Sequence, residues 1–164
     1  MLIYNSYEGQ VRRVIKRIKE SSRPSAQDCH GEECIVFDVA VALSSTEKHP
    51  PSKYPILSIH HNSPHRRWFL SLFDAYDLVD THDWYAILDG DTHIFMKVLE
   101  QRLETVYENP QDKAWYVGGT SECHTSYLNH GVFPYGGGGV FLSNKAVKML
   151  YDKKDWCLKR FENI

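Results

Sequence analysis

The chain has 164 residues, of which 42% are hydrophobic, so it can bury one core and a single main domain is expected. Its 19 lysines and arginines nearly balance 21 aspartates and glutamates, and a net charge of −2 disfavours binding to nucleic acid or to an anionic membrane surface. No apolar run approaches the roughly 20 residues of a membrane-spanning helix, so we expect no span within this chain.

The first 33 residues are predicted to be an amphipathic helix and a linker that precede the main domain. Within residues 8–20 (EGQVRRVIKRIKE), apolar residues recur at helical spacing with basic residues between them. From residue 21, serine, proline, glycine and charged residues indicate a linker. The chain's four cysteines permit two disulfides or four reduced thiols, so they do not decide the compartment.

Residues 34–164 have the pattern of an α/β domain. IVFDVAVAL (35–43) and WYAIL (84–88) are short and apolar, which favours buried strands. Pro64 suits a first helical turn, and apolar residues at helical spacing continue to Val79. A second helical stripe consists of Phe95, Val98, Leu99, Leu103 and Val106.

The pattern of alternating strands and helices continues after this stripe. WYVG (115–118) predicts a strand, and a glycine run leads into VFLS (140–143), where Ser143 suits the N-cap of a helix that reaches Leu150. Strands and helices that alternate in this way favour a layered, mostly parallel sheet.

Two aspartates, Asp89 and Asp91, follow the apolar run WYAIL. In an α/β sheet, ligands gather beyond the carboxyl ends of the strands. Side chains alternate along an extended chain, so both carboxylates are expected to face one site, where their repulsion favours a bound cation. Hard oxygen ligands suit Mg²⁺ or Mn²⁺, which often share their coordination with phosphates.

Other readings of this stretch fit less well. A calcium loop would need glycine at Ile94 for its sharp turn, which excludes that reading. A phosphatase of the haloacid dehalogenase type would use Asp89 as nucleophile and Asp91 as acid/base. That pattern has glycine and then threonine or valine after the second aspartate, whereas Thr92 and His93 stand here, so it is the weaker alternative.

Three motifs in order resemble those of the Fringe-like glycosyltransferases of family 31, including their DUF604-type relatives. They are DWYAILDGDTHIF, WYVGGTSECH about thirty residues later, and FPYGGGGVFLSNKAVKML. Asp89, Asp91 and Thr92 match the family's Asp-Asp-Asp-Thr motif, with Gly90 in place of the middle aspartate. The resemblance covers about residues 34–164 and is strongest over 82–150.

The resemblance implies a GT-A fold, here incomplete, and a sugar transferred with inversion from a UDP-sugar to a glycan hydroxyl, typically in a β1,3 linkage. It implies Mn²⁺ or Mg²⁺ bound directly by Asp91, with Asp89 holding the ion through water or touching the ribose. Residues expected at the donor site are Thr92, Ser121, Glu122, Gly137, Gly138 and Gly139. Family members are type II membrane proteins of the Golgi lumen, which is therefore the expected location.

The chain departs from the family in one respect that bears on catalysis. In the family, the catalytic base lies in an acidic segment beyond the position of Phe161, and this chain ends at Ile164. General base catalysis contributes roughly 10² to 10⁴ in rate. Two hypotheses therefore stand: a glycosyltransferase or the donor-binding part of one, and a non-catalytic remnant that binds sugar nucleotides or glycans.

Overall fold

The computed structural model describes residues 2–5, 13, 16–17, 39–44, 56–59, 64–89, 92–121, 133–134 and 138–161. Its strands are β1 (Leu2–Asn5), β2 (Val39–Ser44), β3 (Ile56–Ile59), β4 (Trp84–Asp89), β5 (Tyr116–Gly118), β6 (Thr120–Ser121), β7 (Phe133–Pro134) and β8 (Val140–Ser143). Its helices with described bounds are α1 (Pro64–Leu78), α2 (Met96–Val106), α3 (Asn144–Tyr151) and α4 (Lys154–Phe161).

Six of the strands form one mixed sheet, in the order β3-β2-β1-β4-β8-β5. The strands β1 to β4 run parallel to one another. The strand β8 runs antiparallel to its two neighbours, β4 and β5. The short strands β6 and β7 pair separately. The predicted α/β class, with a mostly parallel mixed sheet flanked by helices, is confirmed at this level.

The strand β1 lies in the middle of the sheet, between β2 and β4. Leu2 is opposite Val39 on one side and Ala86 on the other. The sequence analysis missed this strand, because four residues are too few to show a period and the segment 1–33 was assigned to a helix and a linker. Within that predicted helix, Arg13, Lys16 and Arg17 are indeed helical and exposed, and its other residues lie outside the described part of the chain.

One face of the sheet, called the core face below, packs against α1 and α3. Its side chains are those of Ile3, Tyr85, Ile87, Val140 and Leu142, which are neighbours across β1, β4 and β8. The helices contribute Leu72, Ala75 and Val147. The predicted helix from Pro64 is confirmed, since it buries its apolar stripe on this face.

The opposite face, called the cleft face, carries Leu2, Ala86 and Phe141, which are also cross-strand neighbours. Met96, Leu99 and Leu103 of α2 lie against this face and leave a cleft beside it. The predicted helix α2 is confirmed, and its apolar stripe is partly buried.

The apolar residues of α2 cover a wider arc than the sheet does. Met96 and Leu103, two turns apart, are buried, whereas Phe95 and Val98 are 65% and 66% exposed. Phe95 and Val98 therefore belong to the part of the stripe that is not buried. They project from the flank of the helix that turns away from the sheet.

The predicted cap of α3 is confirmed, and its residues also tie the sheet to neighbouring loops. The Ser143 hydroxyl accepts from the Ala146 N–H and donates to the Lys113 carbonyl. The buried Asn144 amide donates to the carbonyls of Asp80 (2.6 Å) and His82 (2.8 Å). These bonds fix the amino end of β4 relative to the end of β8.

Candidate functional site

Asp89 is the last residue of β4 and lies at the carboxyl edge of the parallel strands. Its partner across the sheet is Asn5, the last residue of β1. From β1 the chain continues towards β2 on one side, and from β4 it continues towards β5 on the other. In α/β sheets, the carboxyl ends of the strands at such a reversal of strand order are where nucleotides and other ligands bind.

Thr92 lies close to the end of β4. The Thr92 N–H donates to the Asp89 carbonyl at 3.0 Å. Gly90 and Asp91 lie outside the described residues, so the expectation that both carboxylates face one site stays a prediction.

The start of α2 lies a few residues after Thr92. Ile94 is buried and fixes the connection, while the rings of His93 and Phe95 meet edge to face at 4.9 Å between centroids. Phe95 is the N-cap residue and makes no side-chain cap, and the first turn of α2 has no acidic residue. The N–H groups at the start of a helix carry partial positive charge and suit an anionic group such as a phosphate.

The glycine run enters the sheet beside the same edge. Since β8 is antiparallel to β4 with Val140 opposite Ile87, the residues just before Val140 lie next to the end of β4. Gly139 is buried there with φ of +88°, and a Cβ added to it would lie 2.8 Å from Leu88 Cδ2. Glycine is therefore required at this position for two reasons: its φ is positive, and a side chain would collide with Leu88. Both reasons are independent of chain flexibility and of ligand contact.

The motif WYVGGTSECH also reaches this edge. The strand β5 runs parallel to β4 on the far side of β8, with Gly118 opposite Val140, so the chain beyond Gly118 continues at the carboxyl edge. A Cβ added to Gly138 would be 4.0 Å from the Gly119 Cα. Ser121 follows in β6, where it pairs with Phe133.

The structure thus brings together residues that are about fifty positions apart in the chain. Asp89, Thr92, Ser121, Gly138 and Gly139 all lie at or just beyond the carboxyl edge of β4 and β5. The predicted site residues Asp91, Glu122 and Gly137 lie outside the described residues, and their placement stays a prediction.

The donor chemistry at this edge suits a hard divalent cation. Asp89 supplies a carboxylate at the end of β4, and oxygen ligands of this kind are those that Mg²⁺ and Mn²⁺ prefer. Within the described ranges, no three His, Cys, Asp or Glu side chains are grouped to hold a metal ion. Any such site at this edge therefore needs Asp91, water or a ligand to complete the coordination.

A separate cleft of about 560 Å³ lies on the cleft face, at the other end of β4. It is bounded by Thr81, Asp83 and Trp84 at the amino end of that strand and by the inner side of α2. Neither Asp89 nor Gly139 lines it. The sequence analysis missed this cleft. The glutamates at positions 100, 104 and 108, spaced four residues apart, were a signal in the sequence for an acidic helix face.

Comparison of the chain with protein-family models gave no match, and comparison with curated proteins gave no significant match. In the part of the chain that the structure describes, none of the helices combines the length and apolar character needed to cross a membrane.

Proposed function

We propose that this chain is the donor-binding part of a metal-dependent, inverting glycosyltransferase of the GT-A type, which uses a UDP-sugar. The observation that carries the proposal is the position of Asp89 at the switch point of a parallel sheet, with the glycine run and the Ser121 strand at the same edge. The three motifs resemble those of one enzyme family, and motifs that bind the same ligand are expected to lie at the same edge of the sheet.

The proposed ligand is a nucleoside diphosphate sugar bound across the ends of β1 and β4. Asp91 would hold Mn²⁺ or Mg²⁺ directly, and Asp89 would hold it through water or contact the ribose. The bound cation would offset the negative charge that develops on the leaving diphosphate. The uncapped N–H groups at the start of α2 would favour the same phosphates, because a helix N-terminus attracts anions.

The proposal assigns donor binding to the described residues and leaves the catalytic base unassigned. By resemblance, the base that removes the proton of the acceptor hydroxyl belongs to an acidic segment that follows the position of Phe161. The acceptor would be a glycan or glycoprotein, and the Golgi lumen the place of the reaction, also by resemblance.

Calorimetric titration of UDP with and without Mn²⁺ tests donor binding. We expect binding that requires the metal and weakens at least about tenfold in Asp91→Ala, a loss of about 1.4 kcal/mol. Asp112→Ala, which removes an exposed aspartate from the loop after α2, is the matched control and should bind as the native chain does. UDP binding that survives removal of the metal, or Asp91→Ala binding like the native chain, would contradict the proposal.

Release of UDP from a UDP-sugar distinguishes an enzyme from a non-catalytic binding protein. Metal-dependent UDP binding without release from any donor tested would favour the binding protein. Release of phosphate from a phosphomonoester, abolished by Asp89→Asn, would instead favour the phosphatase alternative, in which Asp89 is the nucleophile.

A further inference from the structure

We propose that the chain forms a reciprocal dimer, in which the acidic cleft of each copy receives the basic helical face of the other. The acidic cleft is the 560 Å³ space between α2 and the cleft face. The basic face consists of Arg13 and Arg17. This inference does not rest on the proposed function, because the cleft lies at the opposite end of β4 from Asp89.

The cleft has the size and apolar character of a binding site. Leu2, Ala86 and Phe141 form its floor, and Leu99 and Leu103 line the side formed by α2. Its volume falls within the range of roughly 300 to 1,000 Å³ that is typical of ligand sites. Leu2, Ala86 and Leu103 are already almost fully buried, and covering the half-buried Leu99 and Phe141 with a partner's carbon atoms would gain free energy.

The polar part of the cleft wall is strongly one-sided in charge. Four carboxylates line it, those of Asp83, Glu100, Glu104 and Glu108, whereas no lysine or arginine does. Glu108 is paired with the Lys113 ammonium group at 2.5 Å on the rim. For Glu100 and Glu104, no cation bonded to either carboxylate is found among the described residues.

Glu100 and Glu104 also disfavour each other's ionised state. They are one helical turn apart on α2, where like charges repel. Burial raises the pKa of Glu100 above its ordinary value, and the negative charge of Glu104 raises this pKa further. A cation placed between the two carboxylates would relieve this repulsion, so the wall is complementary to a positively charged partner.

The chain itself carries a surface of the required chemistry. Arg13 and Arg17 are helical and exposed, and their spacing of four residues places them on one side of a helix. Neither of them lines the cleft of its own chain. The long aliphatic stems of arginine and lysine can cover apolar surface while their charged ends reach carboxylates.

Because every copy has both surfaces, the contact can be made twice. If the basic face of one copy enters the cleft of the second, a twofold axis allows the second copy to do the same to the first. The pair is then closed and does not grow into a filament. Each exposed ion pair contributes little by itself, so a dimer stabilised by a few of them should weaken as salt rises.

Sedimentation velocity of the whole chain tests the dimer. We expect a concentration-dependent dimer at about 50 mM salt that dissociates at about 500 mM, since the Debye length shortens with ionic strength. Glu104→Lys changes an exposed residue and should raise the dimer Kd at least about tenfold, corresponding to 1.4 kcal/mol. Asp152→Lys, which reverses an exposed acid at the end of α3 on the other side of the sheet, should leave the Kd unchanged.

A mixture of complementary variants gives the decisive result. The double variant Arg13→Glu/Arg17→Glu should be monomeric alone at the concentration at which the native chain dimerises. Mixing it with Glu104→Lys should restore a heterodimer, because one of the two contacts then joins a native basic face to a native cleft. A chain that stays monomeric at low salt overturns the proposal. So does a dimer that Glu104→Lys leaves intact, or variants that remain monomeric when mixed while their circular dichroism matches that of the native chain.

Discussion

The two faces of the same strands are packed very differently. On the core face, Tyr85 and Ile87 are buried together with Leu72 of α1 and Val147 of α3 in one continuous cluster. On the cleft face, residues only one position away on the strands, such as Ala86, border a space of about 560 Å³ beneath α2. Alternation along the strands gives both faces apolar side chains, which are mostly buried on both, but the space beside α2 lies on the cleft face.

This contrast separates what stabilises the molecule from what remains for binding. The core face has two helices and a dense cluster, so its residues are expected to account for most of the stability. The cleft face and the carboxyl edge of the sheet have half-buried apolar side chains such as Leu99 and Phe141, acidic side chains and uncapped N–H groups. These features cost stability unless a ligand or a partner meets them.

The largest expected effect compares one substitution on the two faces. Leu72→Ala removes a side chain that is 2% exposed within the core cluster, and we expect it to lower the free energy of unfolding by about 3 kcal/mol. Leu103→Ala removes a side chain that borders the cleft, and should cost about half as much, because fewer contacts are lost there. Urea denaturation measures both, and equal losses would show that the cleft face is as well packed as the core face.

A smaller effect is expected at the carboxyl edge. Gly139→Ala should lower the free energy of unfolding by about 2 kcal/mol, because its φ is positive and the new Cβ would meet Leu88. Gly119→Ala is the matched control, since a Cβ there would meet nothing within 4 Å, and it should change stability by less than about 0.5 kcal/mol. Equal effects at the two glycines would mean that Gly139 has no special packing role.

The smallest effect concerns the acidic wall of the cleft. The pKa of Glu100 is raised above 4.5, chiefly by burial, so its ionised form is less favourable in the folded state than in the unfolded chain. Glu100 therefore lowers stability at neutral pH, and this loss disappears below pH 4.5, where both states hold the proton.

We accordingly expect Glu100→Gln to unfold at a higher temperature than the native chain at neutral pH. The difference should shrink as the pH falls through the raised pKa towards 4.5. Measurements on dilute protein in high salt keep the chain monomeric. A variant that is less stable at neutral pH would show that the carboxylate has a cation partner in the monomer.

The sequence predicted those parts of the fold whose patterns are local. The helix from Pro64, the strand that ends at Asp89, and the Ser143 cap each follow from spacing within about fifteen residues, and all three are confirmed. The strand β1 could not be predicted, since Leu2–Asn5 is defined by partners at Val39 and Ala86 and has no period of its own. The spacing on α2 predicted the helix, but which of its apolar residues are buried depends on the sheet beneath it, which no local pattern reveals.

The same limit applies to the candidate site. The position of Asp89 after an apolar strand singled it out, and the family resemblance singled out Ser121 and the glycines; the topology places the described members at one edge. The need for glycine at position 139 depends on the Leu88 side chain, which no local pattern reveals. The acidic cleft is likewise formed by residues from β1, β4, α2 and β8, so only the assembled sheet defines it.

The most direct test of the account is to find where a paramagnetic cation binds. In a two-dimensional amide spectrum, Mn²⁺ added with UDP should broaden the signals of Thr92, Gly119 and Gly138 at the carboxyl edge, and Mg²⁺ should not. Signals from Glu104 and Asn109, at the other end of β4, should be the least affected. Selective broadening at Glu104, with the carboxyl edge unchanged, would place the cation in the acidic cleft and contradict the assignment of Asp89 to a nucleotide site.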